Sequence, residues 1–357
     1  VRVLVAMSGG VDSSVAAALL ADAGHEVVGC TLQLWGGESD TGCCSAADVE
    51  DARRVAQVLG IDHHVFNLED DFAREVVDAY VAAHERGSTP NPCVACNRSI
   101  KFGALLERSA RLGFDAMATG HHARVTWGPS GPELRRGADA AKDQSYVLGF
   151  LTVEHLARTL LPVGEHKKDH VRELAARWGL RTAAKPDSQD VCFIPRGARS
   201  VFLAGGTQLV GAVVLDALDG TVLGEVPAVQ LVTVGQRRGV ARGVDGTARY
   251  VVDVDVDRRE VRVAPLAEAS TDVVALDGAS LTWSHEARGD GTEVLVQTSA
   301  HGVPVGARVW GGAEPRLELS ASVRPVAPGQ AAVLYDASDP DLVVGAATVA
   351  RRALLPA

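Results

Sequence analysis

The sequence predicts an α/β domain, a parallel sheet with helices on both faces, followed by two small, mostly β units. Three observations carry this. Over residues 1–195, short apolar and β-branched runs alternate with stretches of helical period. Beyond Pro195 the helical patterns thin out, and Val-rich runs alternate with Gly, Asp and Pro. The 357 residues are 46% hydrophobic and 22% charged, enough for two or three domains with real cores. The expected boundaries are 1–195, 196–267 and 268–357.

The first strand is Val1-Arg2-Val3-Leu4-Val5-Ala6, and the first helix begins near Ser13-Ser14-Val15-Ala16. Between them lies Met7-Ser8-Gly9-Gly10-Val11-Asp12. Gly9 and Gly10 let main-chain N–H groups approach an anion, and the new helix adds its positive end and unbonded donors. Asp12 is out of place in a phosphate cradle unless it meets a metal ion or orients the loop. No Gly-Lys-Ser/Thr closes the stretch, so it is not a Walker loop.

Val27 to Leu32 is the second strand, with Cys30 as core and Leu32 at the carboxyl end, where it either lines an adenine pocket or merely packs. The vicinal pair Cys43-Cys44 sits in a polar loop without further ligands at useful spacing. A helix with acids in its first turn starts at Ala46. His63 to Leu68 is the third strand, and Asp71 to Glu85 the next helix. In Thr89-Pro90-Asn91-Pro92-Cys93-Val94-Ala95-Cys96 the prolines enforce an extended approach, and helical patterning resumes at Asn97. Cys96 then lies near a helix N-terminus with Arg98 and Lys101 nearby, conditions that favour thiolate; half a zinc site or a redox pair is the alternative reading. Phe114 to Thr119 is a further strand. Gly120 and His121 follow it, placed either to meet nucleotide and substrate or for a structural role. Lys142-Asp143-Gln144-Ser145-Tyr146 offers a cation and several donors to phosphate or base, or else a helix cap. The basic helix around His166 to Arg172 reads as a solvated face. Cys192 follows the polar, Pro-broken Lys185-Pro186-Asp187-Ser188 and reads as core when taken alone. In the β region, Gly211–Val214, Gln230–Thr233, Tyr250–Val254, Glu260–Val263, Val294–Val296 and Ala331–Tyr335 are expected antiparallel strands. Gly235-Gln236-Arg237 and Pro328-Gly329-Gln330 are turns, the latter with an amide able to read a base.

The Ser8 to Ser13 loop resembles the SGGxDS loop of the ATP pyrophosphatase (PP-loop) superfamily, which splits ATP between its α and β phosphates. With Thr89 to Pro92, Cys96-Asn97, Ile100-Lys101-Phe102, Thr119-Gly120-His121, Lys142 to Tyr146, Asp187-Ser188, Cys192-Phe193-Ile194, Gly235 to Arg237 and Pro328 to Gln330, the whole chain resembles the tRNA-specific 2-thiouridylase family. The resemblance implies an adenine nucleotide α-hydrolase-like domain and a C-terminal β-barrel that contacts tRNA. It implies ATP with Mg2+ at Ala6, Met7, Ser8, Gly9, Gly10, Val11, Asp12 and Ser13, with Leu32 and Gly120 completing the pocket. Asn91, Pro92 and Cys93 then border the target wobble uridine, and His121, Lys142, Asp143, Gln144 and Gln330 contact tRNA. Adenylation of the C2 oxygen makes it a leaving group. Cys192 carries a persulfide supplied by a cysteine desulfurase or sulfur-relay protein, and Cys96 is the partner nucleophile, pairing with Cys192 as a disulfide in one state. No metal site is fixed by sequence. Cys93 stands where some members have Asp, so Cys93, Cys96 and Cys192 could instead hold a [4Fe–4S] cluster. Ser299-Ala300-His301-Gly302 replaces a segment rich in Arg and Tyr in many members.

The net charge of −10 weighs mildly against nucleic acid, but its distribution weakens that argument. Residues 1–100 carry 15 acidic side chains against 6 arginines, and the remainder 30 against 29 basic ones. Six cysteines in a large chain point to catalysis, metal or core rather than a disulfide framework. No run reaches membrane-span length, so the expectation is a soluble, cytoplasmic monomer. Another PP-loop synthetase or amidotransferase is the competing enzyme reading and needs no cysteine pair. A nucleotide-binding RNA chaperone is the non-enzymatic one.

Overall fold

The computed structural model describes residues 1–35, 45–187, 191–195 and 197–351. Cys43-Cys44 and Ser188, Gln189 and Asp190 lie outside the described residues. The chain forms two compact units. The first comprises residues 1–76, 92–198 and 341–344, and the second residues 77–91, 199–340 and those from 345 onward.

In the first unit the strands are β1 (Arg2–Ala6), β2 (Glu26–Gln33), β3 (Asp62–Asn67), β4 (Ala116–Thr119), the hairpin β5 (Ala123–Gly128) and β6 (Gly131–Arg136), and β7 (Thr159–Leu160). The main sheet has the order β3-β2-β1-β4-β7, and all its pairs are parallel. Strand order therefore reverses between β1 and β4, which opens a crevice at their carboxyl ends. Val3, Leu4 and Val5 are wholly buried, which is why β1 reads as an unbroken apolar run rather than an alternating one. Helix α1 (Val11–Asp22) shares a core with Val171 and Ala175 of α3 (Lys168–Arg177) and Ala52 and Val55 of α2 (Ala46–Leu59). Ser45 caps α2 by accepting from the Asp48 N–H at 3.1 Å.

The helix that carries Cys96 starts at Pro92, earlier than the sequence suggests. Proline lacks the N–H that a first-turn residue leaves unused, and its fixed φ already suits a helix. The segment Cys96–Leu105 winds as a π-helix before α geometry resumes at Leu106–Arg111. A second π turn, Ala73–Asp78, lies within residues 69–85. π turns cluster at functional sites.

In the second unit β8 (Ala212–Asp216), β9 (Val222–Val226), β10 (Tyr250–Asp255) and β11 (Glu260–Ala264) form a sheet in the order β10-β11-β8-β9. Each hairpin is antiparallel, but β8 and β11 run parallel where the hairpins abut, contrary to the all-antiparallel expectation. Gln230–Thr233 is not a strand either: Val229–Leu231 is a 3₁₀ turn. Val229 and Val232 both enter the core at a spacing of three, and the buried Gln230 side chain bonds Val210 N and Gln208 O. The last sheet contains β12 (Thr271–Ala275), β13 (Thr282–Trp283), β14 (Thr292–Gln297), β15 (Val305–Trp310), β16 (Arg316–Val323), β17 (Ala331–Asp336) and β18 (Val343–Thr348). Its order is β12-β16-β15-β14-β17-β18-β13. Asp277 N donates to Thr348 O at 2.8 Å and Ala350 N to Ala275 O at 2.9 Å, joining the ends of β12 and β18 and curling the sheet into a barrel.

Arg249 and Asp216 form an ion pair at 3.1 Å, with both side chains under a tenth exposed. Replacing Arg249 by Met leaves the Asp216 carboxylate buried without its cation, and urea unfolding should show a loss of about 3–5 kcal/mol.

Candidate active site

Strand β1 delivers the glycine loop to the crevice between β1 and β4. Met7 N bonds Cys30 O at 2.7 Å, and the buried Thr31 hydroxyl donates to Met7 O at 2.8 Å, so the loop leaves the sheet in a fixed direction. Ser13 Oγ accepts from Ser8 N at 3.1 Å and itself reaches Gly10 O at 3.2 Å; Ser14 Oγ donates to the same carbonyl at 2.7 Å. Gly9 has φ +70°, and a Cβ there would collide with the Asp48 main chain. A Cβ at Gly120 would overlap the backbone of Asp12 and Ser13. These two glycines let neighbouring backbone close on the loop from both sides. The result is an anion cradle at the N-terminus of a three-turn helix.

The Asp12 carboxylate is neutralised in place. Lys168 Nζ lies 2.8 and 2.7 Å from its two oxygens, and His122 Nε2 is 3.0 Å from Oδ1. Burial pushes the Asp12 pKa up, but the hydrogen bonds from His122 and Lys168 outweigh it and hold it below the ordinary carboxylate value. Asp187 receives Lys142 Nζ at 2.7 Å, Lys168 Nζ at 2.8 Å and Arg172 Nη2 at 2.8 Å. Burial again opposes ionisation, yet Lys142 and Lys168 draw its pKa down to about 2. Lys168 is 7% exposed, so this residue is no part of a solvated basic face. Lys185 Nζ bonds Gly9 O at 3.0 Å, Asp48 at 2.6 Å and Asp51 at 2.8 Å. His122, Lys168, Arg172 and Lys185 are site residues that sequence reasoning missed.

Gly120 and His121 follow β4 at the same crevice. His121 is 8% exposed, shares a hydrogen bond of 2.7 Å with Thr119 Oγ1, and has Phe102 5.9 Å away ring to ring. Burial, then the charge of Lys101, then His122, hold its pKa well below 6.5, so it is a neutral imidazole at pH 7. Lys142 is engaged by Asp187. The Asp143 carboxylate accepts from Arg136 Nη1, Gly137 N, Ser145 N and Ser145 Oγ at 2.8–3.1 Å, which ties the β6 end to the next helix. Gln144 brackets His122, bonding its N–H and its carbonyl at 2.9 Å each.

Among the cysteines, Cys93 is exposed, Cys96 buried and Cys192 intermediate. The thiol of the fully buried Cys30 is pushed up to about 12 by desolvation, as an inert core residue's would be. Arg98 places its guanidinium over Phe150, 5.5 Å from the ring centre. Phe193, next to Cys192, packs edge-on to Phe72 at 5.5 Å and lies 6.4 Å from Trp35. Leu32 is buried near the end of β2. The helix containing Phe72 also borders the Cys96 helix, so both cysteine segments adjoin one element. In the second unit Gln330 Nε2 donates to the carbonyl of Thr89, 241 positions earlier and two residues before Asn91. Thr89 N in turn bonds Pro328 O at 2.7 Å.

Two family models match the chain. One, described as a tRNA methyl transferase HUP domain, covers residues 1–196, and the other, an aminomethyltransferase β-barrel domain, covers 275–349. Full-length relatives are named tRNA-specific 2-thiouridylase. The one from Mycolicibacterium smegmatis is 47% identical, over 98% of this chain and 100% of the relative. That from Mycobacteroides abscessus is 46% identical over 98% and 99%. That from Acidothermus cellulolyticus is 47% identical over 98% of each. With this identity across nearly its full length, and a PP-loop cradle at its sheet switch point, the chain belongs to the tRNA-specific 2-thiouridylase family.

Proposed function

We propose that this protein catalyses ATP-dependent 2-thiolation of the wobble uridine of tRNA. The observation that carries the reading is the cradle closed by Gly9 and Gly120 around the N-terminus of α1. It fits a polyphosphate, because the dipole and first-turn N–H groups of α1 face a loop that backbone can close on only where Gly9 and Gly120 carry no Cβ. Residues Ala6 to Ser13 hold ATP, with Leu32 and Gly120 completing the pocket. Asp12 would supply a hard carboxylate oxygen of the kind that holds Mg2+, and the ion when bound would offset phosphate charge.

Asn91, Pro92 and Cys93 border the target base, and His121, Lys142, Gln144 and Gln330 contact tRNA. Asp143 serves the same end through the turn that its four hydrogen bonds hold. An anticodon-loop base is already unstacked enough to be turned into such a site at small cost. Its C2 oxygen attacks the α-phosphate, pyrophosphate leaves, and the N3 proton goes to solvent. The terminal persulfide sulfur on Cys192 then displaces AMP from C2. Cys96 thiolate attacks the Cys192 sulfur; the S–S bond to the base breaks, N3 is reprotonated, and a Cys96–Cys192 disulfide remains for an external thiol to reduce. A cysteine desulfurase or relay protein supplies the persulfide. The working form is a cytoplasmic monomer, with functional domains at 1–195, 196–267 and 268–357. Among the described residues no helix is long and apolar enough to cross a membrane.

Separate replacement of Cys192 and Cys96 by Ser should leave tRNA-dependent pyrophosphate release intact. Thiouridine in the product, read by nucleoside mass spectrometry, should fall by a factor of about 100 or more, as expected when a nucleophile is removed. Unchanged thiouridine in both variants rejects the reading. Iron in anaerobically purified protein, with no activity from a persulfide donor, would favour a [4Fe–4S] cluster on Cys93, Cys96 and Cys192 instead.

A buried neutral His121 also sets a pH dependence. Its folded pKa is depressed, so the unfolded chain binds the extra proton first. Its contribution is complete above the ordinary value of 6.5 and is lost as pH falls from there toward the folded value. Urea midpoints should decline across that window, and His121→Gln should flatten the decline.

A further inference from the structure

The 3₁₀ turn Arg181–Ala184 ends at Lys185, whose ammonium ties the glycine loop to α2. Nζ donates to Gly9 O at 3.0 Å, to Asp48 at 2.6 Å and to Asp51 at 2.8 Å. Arg172 of α3 grips the turn's main chain, with Nη1 donating to Ala183 O at 2.7 Å and to Lys185 O at 2.9 Å. Arg181 Nε lies 3.2 Å from the second oxygen of Asp51. Two cations thus face two carboxylates, and turn, helix and loop are joined in one ionic assembly without net charge. The next carbonyl of the loop is engaged as well. Gly10 O accepts from the Ser13 and Ser14 hydroxyls and from Ser14 N at 3.3 Å.

Paired glycines can turn their peptide planes either way at little steric cost. The direction matters, because a carbonyl turned toward an anion repels it and an N–H attracts it. In a trans peptide the N–H points opposite to the C=O. Holding the Gly9 carbonyl with Lys185 and the Gly10 carbonyl with the serines therefore sets the N–H groups of Gly10 and Val11. Among the described residues neither N–H has a protein acceptor, and no side chain caps α1. These are donors that the loop keeps for an anion. We propose that Lys185 is a positioning residue for ATP, which keeps the Gly10 N–H turned toward the phosphates by holding the Gly9 carbonyl. This rests on the assignment of ATP to the loop and adds the residue that fixes the loop's donor face. Because Asp48, Asp51 and Arg181 balance its charge, Lys185 acts through this one bond rather than as a cation that attracts nucleotide. Without it the loop samples the flipped peptide, and apparent affinity falls with the fraction of loops left competent. Bound ATP selects the same loop in either case, so the chemical step at saturation is unchanged.

The test uses the reduced full-length protein. Calorimetric titration without tRNA gives the Kd for MgATP, and tRNA-dependent pyrophosphate release gives kcat and the KM for each substrate. In Lys185→Met the Kd and the KM for ATP should rise about tenfold or more, the effect of losing a hydrogen bond from a charged donor. The kcat at saturating ATP and the KM for tRNA should stay within about twofold of wild type. Lys185→Met combined with Asp48→Asn keeps the assembly neutral and leaves Asp51 paired with Arg181, so it separates the bond from the charge. It should show the same rise, and it serves in place of the single variant if that one fails to fold. Wild-type affinity for MgATP in either variant overturns the positioning role. So does a fall in kcat with the KM for ATP unchanged, or an equal rise in the KM for tRNA. A wild type that binds no MgATP overturns the ATP assignment instead, and the first titration tells the two failures apart.

Discussion

A carboxylate in the glycine loop, at the start of α1, is the constraint that the rest of the parallel-sheet unit answers. Asp12 sits in the first turn of α1, where a lone negative charge would repel any anion brought to that helix end. The structure resolves this with Lys168 and His122, both nearly buried, which hold the carboxylate ionised and offset its field. Neither can be exposed without weakening that balance, so α3 must pack with its first turn against the loop. The shared core of Val15, Ala16, Val171 and Ala175 does this. Sheet order, helix packing and loop charge are therefore a single arrangement. The parallel strands set the crevice, two glycines let backbone close on it, and one helix start brings the balancing cation.

The same economy governs the histidines. His121 is buried and neutral, fit to accept or donate one hydrogen bond without bringing charge to a base. Its neighbour His122 turns the other way and spends Nε2 on Asp12. Two adjacent residues after one strand thus bond different partners, His121 the Thr119 hydroxyl and His122 the Asp12 carboxylate. Gln144 fixes His122 at both main-chain groups, its side-chain oxygen accepting from the N–H and its own N–H donating to the carbonyl.

Much of this was legible in the chain. β1, the glycine loop and α1 are contiguous, and each announces itself by local chemistry: an apolar run, paired glycines and an Ala-rich helix. The reading of Asp143 as a cap was also available locally, since its partners Gly137 and Ser145 are close in sequence. The ionic assembly was not. Lys168 meets Asp12 across 156 residues and Lys185 meets Asp48 across 137, and nothing in the basic run from His166 to Arg172 distinguishes a buried lysine from a solvated one. The β region misled for another reason. Val229 and Val232 look like strand residues, but a 3₁₀ turn also delivers them to one core, and only the fate of the Gln230 amide separates the two. The early helix start at Pro92 was hidden because proline breaks helices everywhere except at their beginning.

An open sheet of seven strands would present two rows of unbonded peptide groups, each a template on which another chain could add a strand. Here two main-chain bonds tie the end of β12 to the end of β18, and the margin beyond β18 is β13, two residues long. That remnant is too short to seed growth. At that margin of the sheet a second copy of the chain finds no strand-length row of peptide groups on which to pair.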